Sequence, residues 1–471
     1  MNRTILAALT AICAAATAAA QTYSTTDPVR RTIERRAVEA VIWGMPVVNY
    51  DLMYQAMVNA ANGKVNQIVY WSRLPDWKNQ TLTPNPDAIY LMTFINTRDV
   101  GPVVIEIPPA EGGSINGTIM NVWQTPLEDV GPAGVDKGTG GKYLILPPGS
   151  TFKAPSDYIV LPSETYENYA LLRSILKSGS DAHIAQAAAY GRRVKVYPLS
   201  QAYNPPPTTF VDAIDVVYDA TIPYDLRFFQ SLDRIVQQEP WLARDKAMID
   251  QLKSVGIEKG KPFNPDQSTQ AALNAAAAEA HALLEGRYEA LFNGTPYFDS
   301  SRWLLPALPD YIKGASDDYA DPDHYPVDDR GLVFTFAFFT PKRLGQGQYY
   351  LMTIKDKDGN AFNGATTYRL NVPADAPVTL FWSATVYNRA THTLIRDMPR
   401  GSRSSQNVGL QKNTDGTVDV YFGPNAPNGK ESNWVPTTPG GQFEVLFRFY
   451  GPTKPLFDKT WKLPDVQKIA G

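Results

Sequence analysis

The stretch FEVLFRFY, residues 443–450, decides how the C-terminal part of this 471-residue sequence folds. Its β-branched and aromatic residues are typical of a strand. Successive side chains of a strand point to opposite faces, so Glu444, Leu446, Arg448 and Tyr450 share one face. Similar runs and two Asp-Gly hairpin signals, at 358–359 and 415–416, predict an all-β domain of two packed sheets. Its further strands are expected at residues 350–354, 367–372, 379–387 and 418–422.

The N-terminal part carries short runs of the same kind. They are rich in β-branched or aromatic residues, lie between Pro and Gly, and cover residues 88–94, 103–107 and 142–146. This pattern is typical of a sandwich or a barrel. A helix precedes them. Its apolar spacing starts at residue 24, and we expect Pro46 to break it at 44–46 before it restarts over 47–59.

Helical periodicity dominates the middle of the chain. It predicts helices at residues 165–176, 181–193, 225–238, 244–255 and 268–291. The fold class is therefore mixed α and β, mainly β. We expect four segments: a signal peptide at 1–20, a helix with a β domain at 21–163, a mainly helical segment at 164–345, and the all-β domain at 346–471.

The N-terminus has the composition of a secretory signal. Asn2-Arg3 supplies a positive start, residues 4–16 are largely apolar, and three alanines precede Gln21. We expect cleavage near Ala20-Gln21 and a soluble product in the periplasm or outside the cell. The only cysteine, Cys13, lies in this signal, which excludes disulfides, Cys nucleophiles and Cys-bound zinc from the mature chain.

Charge and hydropathy exclude two further classes of protein. The net charge is −3 without a basic run, so a nucleic-acid partner is not expected. No segment after the signal approaches 18 uncharged apolar residues, so the mature chain is not expected to span a membrane. A small-molecule or glycan ligand is the expected partner, and formation of a homo-oligomer is left open.

Several familiar motifs are approached but not matched. The calcium-like run 356–361 has Ala361 where the loop requires glycine. The phosphate-loop-like run 423–431 ends in Glu431, and the elbow-like run 112–116 lacks its closing glycine. No two histidines have metal-ligand spacing. No cofactor is predicted, and a divalent metal held by residues distant in sequence stays open.

Acid–base candidates are few. Asp87 lies in a turn just before a β run, which suits a catalytic acid or base. Glu106 interrupts the apolar run 103–107; facing inward it would suit a general acid, although strand alternation favours an outward position. His392 follows the strand at 379–387, with His324 as the other histidine candidate.

Binding candidates surround these groups. Asn85 and Tyr90 flank Asp87 and are expected to position a ligand, and Arg448 is the expected anion anchor. Together with Glu444 and Asp458, Arg448 forms either a structural ion pair or a ligand clamp. Tryptophans at strand ends supply apolar walls for a sugar or apolar ligand, although core packing is the alternative for each. These tryptophans are Trp123, Trp382 and Trp434.

Two groups of motifs resemble known families. TPNPDAIY at 83–90 followed by GPVVIEIP at 101–108 resembles domain of unknown function 1254 of exported bacterial proteins. FWSATVY at 381–387, DGTVDVYFGP at 415–424 and NWVPT at 433–437 resemble its companion, domain of unknown function 1214. The resemblance implies an N-terminal β-sandwich, a helical insertion and a C-terminal jelly-roll-like β-sandwich, but carries no catalytic residues with it.

Two functions follow as hypotheses. The first is an exported hydrolase acting on a small organic or glycan-like substrate in a cleft between the two β domains. Asp87 would be its acid or base, and Trp382 and Trp434 its apolar wall. The alternative is a non-catalytic ligand-binding or envelope protein. Convergence of Asp87, Glu106 and His392 on one cavity would favour the enzyme, and their separation would favour binding.

Overall fold

The computed structural model describes residues 27–469. It has a mixed α and β fold with 28% helix and 25% strand, so the expected predominance of β structure is not observed. The expected signal peptide at 1–20 lies outside the described residues. No helix among residues 27–469 is long and apolar enough to cross a membrane.

Five of the nine helices of residues 27–469 cluster in the middle of the sequence, at residues 226–336. The nine are α1 (Asp27–Asn59), α2 (Thr97–Val100), α3 (Asp181–Gly191), α4 (Leu226–Gln238), α5 (Met248–Ser254), α6 (Gln267–Phe292), α7 (Pro309–Ser316), α8 (Val327–Phe336) and α9 (Lys454–Phe457).

Among the described residues, twelve strands precede α4 and eight follow α8. The first group is β1 (Ile68–Tyr70), β2 (Asn79–Gln80), β3 (Ile89–Asn96), β4 (Val103–Ile107), β5 (Ile115–Asn121), β6 (Pro126–Val130), β7 (Gly141–Leu146), β8 (Tyr158–Pro162), β9 (Glu167–Ser174), β10 (Lys195–Pro198), β11 (Phe210–Asp212) and β12 (Tyr218–Asp219). The second is β13 (Gln348–Thr353), β14 (Tyr368–Val372), β15 (Val378–Asn388), β16 (Ser402–Ser404), β17 (Val418–Gly423), β18 (Trp434–Pro436), β19 (Phe443–Pro452) and β20 (Gln467–Lys468).

Two sheets organise the N-terminal part. One has six strands in the order β11-β1-β3-β9-β5-β6, and the other has four in the order β10-β4-β7-β8. Side chains from both sheets, among them Leu91, Ile105 and Leu172, form one hydrophobic cluster. The opposite face of the six-stranded sheet packs on the helices, through residues such as Phe94 and Leu171. The sheet is therefore buried on both faces.

Strand β9 corrects a sequence prediction. Residues 165–176 were expected to be helical, but Glu167–Ser174 is the strand between β3 and β5. Every residue of β9 is buried, because one face lies on the second sheet and the other on the helices. A strand buried on both faces loses the alternation that distinguishes it from a helix.

The first helix also differs from its prediction. No break occurs at residues 44–46, and α1 continues through Pro46. Proline cannot donate to the carbonyl of Ile42, which is instead approached closely by α8: a Cβ on Gly331 would lie 2.7 Å from that oxygen. Residues 40–51 are all buried, so packing against α4, α6 and α8 holds the helix together.

The C-terminal part also contains two sheets. Their orders are β13-β19-β15-β16 and β18-β17-β14-β20, and the five strands expected here are confirmed. Along β19, Val445, Phe447 and Phe449 point into the cluster between these sheets. Leu446 faces the other way, toward the helices. The predicted shared face of Glu444, Leu446, Arg448 and Tyr450 therefore looks toward the N-terminal half.

Residues 83–87 join the two halves. Tyr387 donates from its hydroxyl to the carbonyl of Pro84 (2.6 Å), and Arg448 donates to the carbonyl of Thr83 (2.7 Å). Thr83 donates its own N–H to the carbonyl of His392 (2.6 Å). This loop thus fixes the six-stranded sheet against β15 and β19, and a cavity lies beside it.

Candidate functional site

A cavity of about 120 Å³ lies between the two facing sheets. The strands β3, β5 and β9 form one wall, and β13 and β19 form the opposite wall. Helix α8 and the loop that follows it, residues 337–347, close the remaining side. Leu344 lines the cavity and is 36% exposed, so the cavity approaches solvent beside this residue.

The wall from the N-terminal sheet carries a row of three polar residues. Arg173 on β9 is paired across the sheet with Tyr90 on β3 and with Asn116 on β5. Residues paired in this way lie side by side on one face of a sheet. All three line the cavity, and we call them the N-terminal row.

The opposite wall repeats this arrangement. Arg448 on β19 is paired with Tyr350 on β13 and with Ser383 on β15. Arg448 and Tyr350 line the cavity, while Ser383 lies beside them and is completely buried. We call these three residues the C-terminal row. Each wall therefore presents an arginine flanked by a tyrosine and a smaller polar residue.

The two arginines are held in different ways. Arg448 donates hydrogen bonds to Thr385 Oγ1 (2.8 Å), to the carbonyl of Thr83 and to the hydroxyl of Tyr387 (2.5 Å). The Arg173 guanidinium instead lies over two aromatic rings, 5.4 Å from the centre of Tyr90 and 4.6 Å from that of Phe339. The Nε atoms of both arginines have no hydrogen-bond partner among the described residues.

Both guanidiniums are buried cations. Each arginine is only 2% exposed. Burial lowers the pKa of each, but neighbouring tyrosine hydroxyl groups outweigh it and hold the pKa above the usual value for arginine. Among residues 27–469, no carboxylate lies within 4.0 Å of either guanidinium. A buried charge without a counter-ion is costly, so this pair needs an explanation.

Two nearby carboxyl groups, those of Asp129 and Asp87, form no ion pair with either arginine. Asp129 lines the cavity, but its oxygens accept from the backbone N–H of Lys342 (2.9 Å) and of Arg343 (2.8 Å) and from Thr118 Oγ1 (2.8 Å). Asp87 does not line the cavity. Burial raises the pKa of Asp87 to about 6, although Ser402 and the Arg448 charge act to lower it.

A third buried arginine provides a useful contrast. Arg330 on α8 is 1% exposed and likewise has no carboxylate within 4.0 Å among the described residues. It is packed between the rings of Trp123 (5.2 Å) and Tyr325 (4.8 Å) and donates to the carbonyl of Trp43 (3.0 Å). Arg330 is not on the wall of the cavity. The cavity is distinguished by two such arginines facing a common space.

The predicted residues of the loop 83–87 lie behind the two rows. Asn85 donates from its side chain to the hydroxyl of Tyr450 (2.9 Å), and its backbone N–H donates to the hydroxyl of Tyr90 (2.9 Å). Its side-chain oxygen accepts from the backbone N–H of Asp87 (3.0 Å). Asn85 therefore holds Tyr90 in place from outside the cavity wall, and Tyr90 itself reaches the wall.

His392 belongs to a separate buried group. Its Nδ1 lies 2.8 Å from Glu444 Oε1, and its Nε2 lies 3.6 Å from Glu285 Oε1. Glu285 also pairs with Arg389 (2.9 Å), and Tyr288 donates to Glu444 Oε2 (2.6 Å). We call these five residues the ion cluster. None of them lines the cavity.

The cluster sets the charge of His392. Burial lowers the pKa of His392, but the carboxylates of Glu444 and Glu285 outweigh it and raise this pKa to about 9. For Glu285 the balance is reversed: burial raises its pKa, while His392 and Arg389 together bring it down to about 2. His392 is therefore an imidazolium at neutral pH, with its Nδ1 bound to Glu444 and its Nε2 beside Glu285 without a hydrogen bond.

The remaining predicted residues lie away from the cavity. Glu106 is on the surface, where it pairs with Lys195 (2.9 Å) and accepts from the hydroxyl of Tyr197 (3.2 Å). Trp382 points into the core between the C-terminal sheets and stacks on Phe447, and Trp434 donates to the carbonyl of Gly423 (2.8 Å). Trp123 packs against Trp43 in the helical core.

Asp458 is also elsewhere, because it pairs with Lys454 on α9. Of the predicted site residues, the structure thus brings Tyr90 and Arg448 to the cavity wall, with Asn85 and Asp87 close behind. Asp87, Glu106 and His392 do not meet. Among residues 27–469, no group of three or more histidine or acidic side chains is arranged to hold a metal ion.

The sequence prediction missed Arg173, Asn116, Tyr350 and Asp129. Arg173 was missed because its strand was assigned to a helix, so its pairing with Tyr90 could not be foreseen. Tyr350 could have been found, because it lies in a predicted strand and starts an alternating pattern with Met352.

Comparison with known proteins agrees with the expected pairing of two domains. Residues 65–198 match the family DUF1254, and residues 347–454 match the family DUF1214. Each is described as a protein of unknown function. No curated protein matches this chain.

Two solved structures are similar over almost the whole chain. The crystal structure of the VPA0106 protein from Vibrio parahaemolyticus has 18% sequence identity and a TM-score of 0.56, over 93% of this chain and 100% of that chain. At this identity the likeness concerns the fold alone. An uncharacterised protein from Burkholderia cenocepacia has 11% identity and a TM-score of 0.39, over 94% of this chain and 95% of that chain.

Proposed function

We propose that this chain, which pairs the DUF1254 and DUF1214 domains, is a binding protein for a small anionic ligand held in the cavity between its two β regions. One observation carries the proposal: two buried arginines, Arg173 and Arg448, face one cavity without a carboxylate partner among the described residues. An anion in the cavity would supply the negative charge that no carboxylate of the described residues provides to these two arginines.

The hydrolase hypothesis has less support from the geometry. Asp87, Glu106 and His392 were its acid–base candidates, and they lie behind the cavity, on the surface and in the ion cluster, respectively. Asp129 is the one carboxylate on the cavity wall among the described residues. Its oxygens already accept three hydrogen bonds, so it is poorly placed to take a proton from a substrate.

Export and the finer architecture belong to the same proposal. We propose that residues 1–20 direct the protein to the periplasm or the cell exterior, which mass spectrometry of the exported protein would test through a new N-terminus at Gln21. We also propose that each β region is a sandwich, the C-terminal one jelly-roll-like. The support is that each pair of sheets encloses one shared hydrophobic cluster.

The test of binding is thermal unfolding of residues 21–471 in a series of small anions at constant ionic strength. A ligand at a hundred times its dissociation constant would stabilise the folded protein by about 2.7 kcal/mol. We expect Arg173→Met to abolish this stabilisation. Arg330→Met is the matched control, because it also removes a buried guanidinium without a carboxylate partner but leaves the cavity intact. Equal stabilisation of wild type and Arg173→Met would contradict the proposal.

A further inference from the structure

We propose that the ligand is a short-chain monocarboxylic acid, with its carboxylate between Arg173 and Arg448 and a compact apolar body of up to about four carbon atoms against the wall of the cavity. This inference rests on the anion-binding function proposed above. It adds the chemical class and size of the ligand, which follow from the shape, lining and charge of the same cavity.

The geometry of the rows favours a carboxylate. A guanidinium presents a flat fork of N–H donors that matches the two oxygens of a carboxylate. Each row places one guanidinium beside a tyrosine hydroxyl, and the Nε of each arginine is without a partner among the described residues. Asn116 on the N-terminal row brings its side-chain amide to the same wall.

The charge around the rows favours a monoanion. Arg448 already interacts with the carboxyl group of Asp87, which lies close enough to feel its charge. Among the described residues, no carboxylate lies within 4.0 Å of Arg173, whose guanidinium lies over the rings of Tyr90 and Phe339. Asp87 makes no ion pair with Arg448, but its charge offsets the two cations in part, so a ligand with one negative charge suits this site better than a ligand with two.

The rest of the wall is mainly apolar, although Thr118, Thr340 and Arg343 also line it, and Arg343 pairs with Glu128. It consists mainly of aromatic and aliphatic side chains from α8, the loop 337–347, β13 and β19; these include Val333, Phe336, Phe338, Phe339, Met352 and Leu446. Inorganic phosphate or sulfate would bring its remaining oxygens against these apolar side chains, which donate no hydrogen bonds, and that is unfavourable. A dicarboxylate would bury a second charge there. An alkyl body would instead gain the free energy of removing apolar surface from water.

The volume limits the size of that body. A protein cavity of about 150 Å³ holds one benzene molecule, which has six heavy atoms. The cavity here is about 120 Å³ and must also hold the carboxylate. Isovalerate, with five carbons and two oxygens, is at the upper limit of this volume. A longer chain would have to leave the cavity past Leu344, toward the exposed side chain of Phe457.

The experiment is isothermal titration calorimetry of residues 21–471 with five probes at one pH and ionic strength. Isovalerate is the expected ligand, and isovaleramide is its neutral analogue. Succinate tests a second charge, octanoate tests chain length, and inorganic phosphate tests an anion without an apolar body. We expect isovalerate to bind at least tenfold more tightly than succinate, octanoate or phosphate, and at least a hundredfold more tightly than isovaleramide.

The outcomes distinguish an error in the proposed ligand class from an error in the proposed anion-binding function. Tighter binding of phosphate, succinate or octanoate would overturn the ligand class while keeping an anion-binding protein, provided that Arg173→Met abolishes the binding. Equal binding of isovaleramide would overturn recognition of the carboxylate. Absence of heat from all five probes, confirmed by unchanged thermal unfolding, would overturn both proposals.

A conservative variant distinguishes a loss of binding from a loss of the folded structure. Arg173→Lys keeps the positive charge but removes the guanidinium fork, and we expect it to weaken isovalerate binding at least tenfold while the unfolding temperature without ligand stays near that of wild type. Arg330→Lys is its control and should bind isovalerate as wild type does. Wild-type affinity in Arg173→Lys would contradict the placement of the carboxylate.

Discussion

Two buried charged sites lie on the same face of strand β19, four residues apart. At Glu444, the ion cluster balances His392 and Arg389 against Glu285 and Glu444, and every charge has an opposite partner inside the protein. At Arg448, a second arginine faces the same cavity and no carboxylate lies within 4.0 Å among the described residues. Burial of a charge alone therefore does not mark a functional site, and neither does a missing partner, since Arg330 also lacks one among the described residues; the distinguishing feature is two such charges that face one cavity.

The largest expected effect is the loss of a partner within the ion cluster. Glu444→Gln removes the charge opposite His392 while keeping the size of the side chain, and leaves a buried imidazolium facing an amide. Breaking a buried ion pair from one side typically costs about 3–5 kcal/mol. We expect a loss of this size in the free energy of unfolding, measured with urea at pH 7. A loss below about 1 kcal/mol would mean that the cluster is not a stabilising pair.

The same cluster predicts a dependence on pH. The folded-state pKa of His392, about 9, lies above the ordinary value of 6.5, so protonation favours the folded state. This stabilisation is fully present below about pH 6.5 and is lost as the pH rises to about 9. His392→Gln should therefore be less stable than wild type by roughly 2–3 kcal/mol at pH 6, with a gap that narrows toward pH 9.5. Unfolding curves at both pH values test this, and a constant gap would contradict it.

The unpaired site predicts a change of opposite sign. In the protein without ligand, Arg173→Met replaces a buried cation that has no ion pair, and whose Nε has no hydrogen-bond partner, among the described residues. Replacing buried charges by apolar groups of similar size is often neutral or stabilising by about 1–4 kcal/mol. We expect an unfolding temperature at or above that of wild type. A clear decrease in the unfolding temperature would show that Arg173 stabilises the fold and would contradict its assignment as a ligand-binding residue.

The smallest effect is expected at the surface. Glu106 and Lys195 form an exposed pair, which typically contributes about 0–1 kcal/mol. Glu106→Gln should therefore leave both the unfolding temperature and isovalerate binding nearly unchanged. A loss of binding would restore Glu106 as a functional residue, against its position outside the cavity.

Alternation along strands explains which parts of the site could be predicted. The run 443–450 showed in advance that Glu444 and Arg448 share a face, and the structure confirms this. The same rule could have corrected the expectation for Trp382. On β15, Trp382 points into the core between the C-terminal sheets, whereas Tyr387 and Thr385 face Arg448 from the other side.

The N-terminal row could not be predicted, because strand β9 is buried on both faces. Strand β9 packs on a sheet with one face and on helices with the other, so its apolar residues do not alternate with polar ones. The pattern consequently resembles a helix, and Arg173 could not be placed opposite Tyr90. Similarly, Pro46 was expected to break the first helix, but α1 continues past it because packing against other helices stabilises this segment. Packing between distant segments, here with α8 and its Gly331, is not visible in a local pattern.

The most direct test of the central claim is a crystal structure of residues 21–471 grown with isovalerate. We expect a carboxylate bound within hydrogen-bond distance, about 3 Å, of both the Arg173 and Arg448 guanidiniums, with the alkyl group toward Phe336 and Leu446. A cavity that holds only water under conditions in which isovalerate binds in solution, or isovalerate bound at another place, would contradict it.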